Sequence, residues 1–444
     1  MSAKYFKNSI ILFFALCFYS FSMSFAHSTY LVWQDYIPFF YLGEINLIKA
    51  FVILIFCFFA TILFNQKFNK ISDVFLLVLL VFLYLPVIVI SLGERRDFSI
   101  EYLLFLISIF ISYFIISLPS KICFSKKLIN QFPEEKKVFK SYLNFVFFLW
   151  IISAFFIIYV YKSIIYFASL DVIYDQRIVG AAKNLAEGYL QTYFGYVLSI
   201  ALVVFGLFLG KKFYIVLGCF GCVLLYGVTA ERSIILMPLF AYIFYKFAKN
   251  HEKSIKIVFY FLLISGLYFI FAGFFGDYNK LFKDISFYYL TRVVATPGLL
   301  VFDYYDFFSE IGYTFYSHVK GFNIFFNPSY PLAVDEFYPA LGKIIARDLY
   351  EVNSNMNASF LATDGAAALG LLGIIIISCV LSIALFCFNY VSFGWPREIT
   401  YPLMAQLAFL LTNGSFFTMM FSFGGIFWFI FFLLSKLNLK KKSG

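Results

Sequence analysis

Long apolar runs, separated by short charged stretches, fill this chain from end to end. Runs near 10–26, 45–64, 74–92, 102–118, 142–161, 193–209, 213–229, 231–248, 257–275, 366–389, 399–412 and 417–434 have spanning length or nearly so. Crossing a bilayer takes roughly 20 apolar residues in a helix, which satisfies all its own backbone groups. The pattern predicts an all-α, polytopic integral membrane protein with about twelve transmembrane helices. Two polar stretches stand out, 162–192 and the much longer 276–364. A loop as long as the second is rarely mere connection. It ends in Asn353–Gly373, NSNMNASFLATDGAAALGLLG, where Asn-rich chain passes through Thr363 and Asp364 into a small-residue apolar helix. The chain thus divides into residues 1–275 (nine spans and the loop 162–192), the loop 276–364, and residues 365–444 (three spans and a basic tail).

Charge placement orients these elements. With the N-terminus inside, 21 of the 34 Lys and Arg residues fall on the inside, beside five acids. The outside then carries 13 basic and 19 acidic residues, and both termini are inside. The net charge of +10 is therefore a topology signal and implies no nucleic-acid partner. A composition of 63% hydrophobic and 13% charged residues agrees with a membrane protein. Ser24-Phe25-Ala26 resembles a signal cleavage site, but the first segment reads as an uncleaved span. Of seven cysteines, none falls in an outside loop, so no structural disulfide is expected. Cys219 and Cys222 share an apolar run without His or carboxylate and read as helix packing.

Lys and Arg are not distributed alike. All inside positives but Arg397 are Lys, whereas the outside holds Arg95, Arg96, Arg177, Arg232, Arg292 and Arg347. Orientation needs only positive charge; a guanidinium adds a planar fork that binds phosphate oxygens bidentately. Arg232, in Thr229-Ala230-Glu231-Arg232-Ser233, is drawn to the membrane boundary because the apolar stretch after it is too short to span. A plain Glu231–Arg232 pair is the alternative. Arg177 follows Asp171 and Asp175 and precedes Gly180-Ala181-Ala182, which permits close backbone approach. Arg292 lies in FYYLTRVVATPGLLVFDYYDFFSE, expected in the interface or as a short helix dipping in, ended near Thr296-Pro297-Gly298. Its aromatics suit sugar stacking or interface anchoring. Arg95 and Arg96 read as a solvated tip.

His318 is the histidine of the long loop and a candidate general base. Asp277, Asp303, Asp306, Glu310, Asp335, Glu336, Asp348, Glu351 and Asp364 are alternatives that spacing cannot rank. Thr363 or Asp364 is expected to cap a helix beginning at Gly365, whose small residues favour close packing. Asn353, Asn355 and Asn357 offer amides to sugar hydroxyls or to an ordinary turn. No metal-ligand or phosphate-loop motif occurs, so neither metal nor cofactor is expected.

Arg177, Arg232 in TAERS, Arg292 in LTRVVATPG and the NxNxxFLATDGAAALGLLG stretch from Asn355 resemble, in order and spacing, the Wzy-type O-antigen polymerases. The resemblance covers most of the chain as architecture. It implies a GT-C-like fold with short helices in a large periplasmic loop of the bacterial inner membrane. It also implies a metal-independent glycosyltransferase that moves a growing glycan from undecaprenyl pyrophosphate onto the next lipid-linked repeat unit. Catalytic roles would fall to Arg232, Arg292, Arg177 and His318, with Arg347, Asn355, Asn357 and Asp364 binding substrate. Partners would be the lipid-linked oligosaccharide, membrane lipid and a chain-length regulator protein. An O-antigen ligase, with a late-loop His and Arg, and a lipid-linked oligosaccharide flippase are the alternatives. Few mid-span charges and one very long loop count against the flippase.

Overall fold

The computed structural model describes residues 3–34, 45–94, 98–122, 136–167, 173–182, 184–276, 278–319, 340–352 and 355–443. Within them the apolar runs become helices: α1 (Ala3–Thr29), α2 (Leu47–Leu63), α3 (Ile71–Glu94), α4 (Ile100–Lys121), α5 (Lys136–Tyr161), α6 (Ile173–Gly180), α7 (Leu185–Leu209) and α8 (Lys212–Thr229). They continue as α9 (Arg232–Lys249), α10 (Ser254–Phe275), α11 (Lys280–Ile311), α12 (Leu341–Asp348), α13 (Leu361–Val391), α14 (Arg397–Leu410), α15 (Phe416–Phe421) and α16 (Gly425–Ser443). Among the described residues, nine helices are long and apolar enough to cross a membrane: α1, α3, α4, α5, α7, α8, α10, α11 and α13. Large apolar side chains also cover outward faces, such as Phe155 on α5 and Ile264 and Phe274 on α10. A contiguous surface of that kind is unfavourable in water and natural against acyl chains. The chain is a multi-pass membrane protein.

Two compact units divide the chain. The first holds Met1–Ile122, Glu252–Phe386 and Phe409–Phe416. There α1 lies along α10, with the Tyr19 and Phe269 rings 5.1 Å apart. The Tyr84 hydroxyl meets Ser112 Oγ at 2.6 Å, and Ser112 meets Ser378 Oγ at 2.6 Å, joining α3, α4 and α13 by side-chain hydrogen bonds. The second unit holds Cys123–His251, Cys387–Ala408 and Phe417–Gly444. Trp150 Nε1 donates to Ser199 Oγ (2.9 Å) and Gln406 Nε2 to the Tyr196 carbonyl (2.7 Å), tying α5 and α14 to α7.

Four elements depart from the sequence reading. Helix α11 lies inside the stretch expected as a loop, and it does not end at Thr296-Pro297-Gly298. The wide-turn (π-helical) segment Phe287–Ala295 precedes Pro297, so the missing N–H falls where the hydrogen-bond register is already changing. Before that segment α11 packs on α10 through Phe282 on Phe271, and within it through the Tyr289 hydroxyl on Ser265; after it, Gly298 meets the Pro86 backbone of α3. Helix α13 is broken at Leu369 (φ −151°, ψ 25°) and Gly370 (φ 60°, ψ −138°). Gly370 suits that left-handed φ, and a Cβ there would lie 2.6 Å from the Tyr313 hydroxyl. The freed carbonyls of Ala367 and Ala368 accept instead from the N–H groups of Thr314 and Phe315, at 2.9 and 3.0 Å. The run 417–434 is split between α15 and α16, and the run 399–412 forms the 14-residue α14.

Candidate functional site

The candidate residues fall into two groups, one in each unit. In the second unit the group is built where α8 ends. Ala230 takes a left-handed conformation (φ 53°, ψ 24°) that stops the helix and turns the chain into α9. Carbonyls at a helix C-terminus lack intrahelical donors and carry partial negative charge. Helix α6 supplies the donors: Gln176 Nε2 donates to the Gly227 carbonyl (2.7 Å), and Arg177 Nε and Nη2 donate to the Ala230 carbonyl, both at 3.3 Å. Gly180 makes this approach possible, since a Cβ there would sit 1.9 Å from the Val228 carbonyl oxygen. The small-residue step after Arg177 is thus a packing requirement.

Beyond that turn, Glu231 precedes Arg232, the first residue of α9, and its side chain does not cap the helix. Its Oε2 accepts from the Tyr196 hydroxyl at 3.0 Å, and that hydroxyl meets Ser233 Oγ at 2.7 Å. Tyr196 lies in the wide-turn segment Tyr193–Ser199 of α7. Residue 231 is exposed as a whole. Even so, the protein packed around it removes water, and that desolvation pushes its pKa up; the Tyr196 hydrogen bond and nearby Arg177 pull the other way. Arg177 is exposed and Arg232 half-buried.

The first unit holds Arg292, His318, Asp364, Arg347, Asn355 and Asn357. Arg292 sits in the wide-turn segment of α11, half-buried, its guanidinium 5.6 Å from the Phe287 ring centroid. Asp364 corrects the expectation of a cap on a helix starting at Gly365. It lies within the wide-turn opening of α13, fully buried, and accepts from Ser415 Oγ (2.8 Å) and from the backbone N–H of Phe416 (2.5 Å). Its carboxylate therefore holds the start of a distant helix. His318 is half-buried beside it: Nδ1 meets Thr314 Oγ1 at 2.8 Å, and Nε2 faces Asp364 Oδ1 at 3.7 Å. Both ring nitrogens point into the protein, which disfavours contact with a substrate in this state. Arg347 forms a bidentate surface pair with Asp348 (2.6 and 3.0 Å). Asn355 and Asn357 are exposed, the Asn355 Oδ1 lying over Gly342.

Sequence reasoning also passed over two polar clusters of the first unit. His27 Nε2 and Glu94 Oε1 stand 2.6 Å apart with both side chains buried. Tyr350 donates to Asp303, and burial together with Asp303 drives its pKa well up. Partners this distant in sequence leave no local signal. Arg95, Arg96, Asp171, Asp277, Asp335, Glu336 and Asn353 lie outside the described residues. Among the described residues, no three His, Cys, Asp or Glu side chains gather as a metal-ligand set. Compared with known protein families, curated proteins and solved structures, the chain matches none.

Proposed function

We propose that this chain is an O-antigen polymerase, a glycosyltransferase that joins undecaprenyl-pyrophosphate-linked repeat units at the periplasmic face of the inner membrane. The observation that carries the reading is the turn from Ala230 to Arg232 at the end of a membrane helix, where Arg177 is anchored and the Arg232 and Glu231 side chains follow. Guanidinium groups held at a membrane boundary suit a pyrophosphate leaving group, whose growing charge they neutralise without reorganising. A carboxylate beside them suits proton removal from an acceptor hydroxyl. The twelve-span topology with inside termini belongs to the same proposal. Arg292 is assigned a role in the reaction to be judged by its own variants, and the inward-facing nitrogens of His318 lower its rank as the base.

The test is deletion of the gene followed by electrophoresis of lipopolysaccharide. The proposal expects lipid A core capped with a single repeat unit and no ladder. A core with no repeat unit at all would overturn it in favour of a ligase or a flippase.

A further inference from the structure

Glycosyl transfer to a sugar hydroxyl needs a proton acceptor, and the residues of the α8–α9 turn supply one. We infer that Glu231 is the general base of the proposed transfer. The inference rests on the glycosyltransferase reading and adds to it the residue that activates the acceptor. The geometry that supports it is specific. Oε2 is fixed by the Tyr196 hydroxyl (3.0 Å), itself held by Ser233 (2.7 Å), so the carboxylate is oriented by a neighbouring helix. Oε1 receives no hydrogen bond among the described residues, and residue 231 is exposed as a whole, which leaves this oxygen as the one without a protein donor. Arg232 follows it directly, and Arg177 lies close enough to act on its charge. A base on the turn therefore lies beside one arginine of the same turn and another reaching it from α6, an arrangement that suits transfer from a pyrophosphate donor.

In the step, the acceptor O–H bond breaks as its oxygen attacks the anomeric carbon of the donor sugar. The proton passes to Glu231 Oε1. The bond from the anomeric carbon to the pyrophosphate oxygen breaks, and its electron pair leaves with undecaprenyl pyrophosphate. Glu231 then returns the proton to water, so no further reactant is needed. Desolvation raises the Glu231 pKa, which moves a carboxylate toward the strength useful near neutral pH. Among the described residues, the charged and titratable groups around it are Arg177 from α6, Tyr196 from α7 and its own neighbour Arg232. Because the ionised form is the active one, the rate falls as pH drops through this raised pKa.

The experiment uses the full chain in phospholipid vesicles, supplied with lipid-linked repeat units extracted from the deletion strain. Glu231→Gln keeps the shape and can still accept from Tyr196. It should lower kcat by about 10²- to 10⁴-fold, leave KM within about threefold, and erase the acid limb of the rate profile. Glu231→Asp should retain that limb at reduced kcat, which also serves if the Gln variant does not accumulate. A Glu231→Gln enzyme with near-wild-type kcat, or an Asp variant lacking the acid limb, would overturn the assignment. If the wild-type chain itself extends no repeat unit, the glycosyltransferase reading fails instead.

Discussion

Replacing Asp364 asks whether this buried carboxylate holds the fold or handles substrate. The side chain is fully buried and accepts two donors, Ser415 Oγ at 2.8 Å and the Phe416 N–H at 2.5 Å. In Asp364→Ala both lose their acceptor, and water cannot easily replace it. A buried unsatisfied donor costs about 1–3 kcal/mol, so the pair amounts to about 2–6 kcal/mol. Asp364→Asn behaves differently. Its amide oxygen can accept from Phe416 while its NH₂ donates to Ser415 Oγ, leaving mainly the loss of charge assistance, about 1–2 kcal/mol. His318 contributes little to either figure, because 3.7 Å is beyond hydrogen-bond length. The assay is the unfolding midpoint of the purified chain in detergent micelles under graded denaturant. The expected order is wild type, then Asn slightly below, then Ala far below. An Ala variant as stable as wild type but without a ladder would refute the anchoring argument and make Asp364 a substrate ligand.

Other expectations follow from the same structure. Arg232→Lys and Arg292→Lys should abolish the lipopolysaccharide ladder while protein level stays normal; a full ladder from both would reduce these residues to packing and topology. His318→Ala should cause partial loss of the ladder at most, and complete loss would move weight to a His-dependent ligase mechanism. Gly370→Ala forces a Cβ against the Tyr313 hydroxyl at a φ of 60°, a strain of about 1–3 kcal/mol, and should lower the unfolding midpoint; an unchanged midpoint would contradict the helix break. Arg347→Ala removes an exposed pair with Asp348 and should change stability by less than about 1 kcal/mol with the ladder intact. Loss of the ladder there would restore Arg347 to the substrate-binding set.

The helical, membrane-spanning character was legible because an apolar run in lipid has one good solution, the helix, and hydropathy writes that run directly into the chain. Helix α11 was legible only as an interfacial segment or a short dipping helix ended near Thr296-Pro297-Gly298, because Arg292, Asp303, Asp306 and Glu310 dilute its apolar character. The break in α13 was hidden for the opposite reason: GAAALGLLG reads as one smooth apolar helix, and only the Gly370 backbone reveals the bend. At the candidate site, Arg177 and Arg232 could be picked out by type and place. Their surroundings could not, because Arg177 binds the Ala230 carbonyl from 53 residues away and Glu231 turns to Tyr196, 35 residues distant. Adjacency offered a Glu231–Arg232 pair as the alternative, and tertiary contacts give the carboxylate the Tyr196 hydroxyl as a partner. Asp364 shows the same principle: residue type suggested a cap, and the fold decided which helix it serves.

The central claim is that this chain transfers glycans between lipid-linked units. Its most direct test is to reconstitute the purified chain in vesicles with lipid-linked repeat units alone, without nucleotide sugar, and measure product length together with undecaprenyl pyrophosphate. The account predicts a ladder of lipid-linked oligomers, with one undecaprenyl pyrophosphate released for each linkage made. Repeat units that stay single, or merely cross the bilayer unchanged, would contradict it.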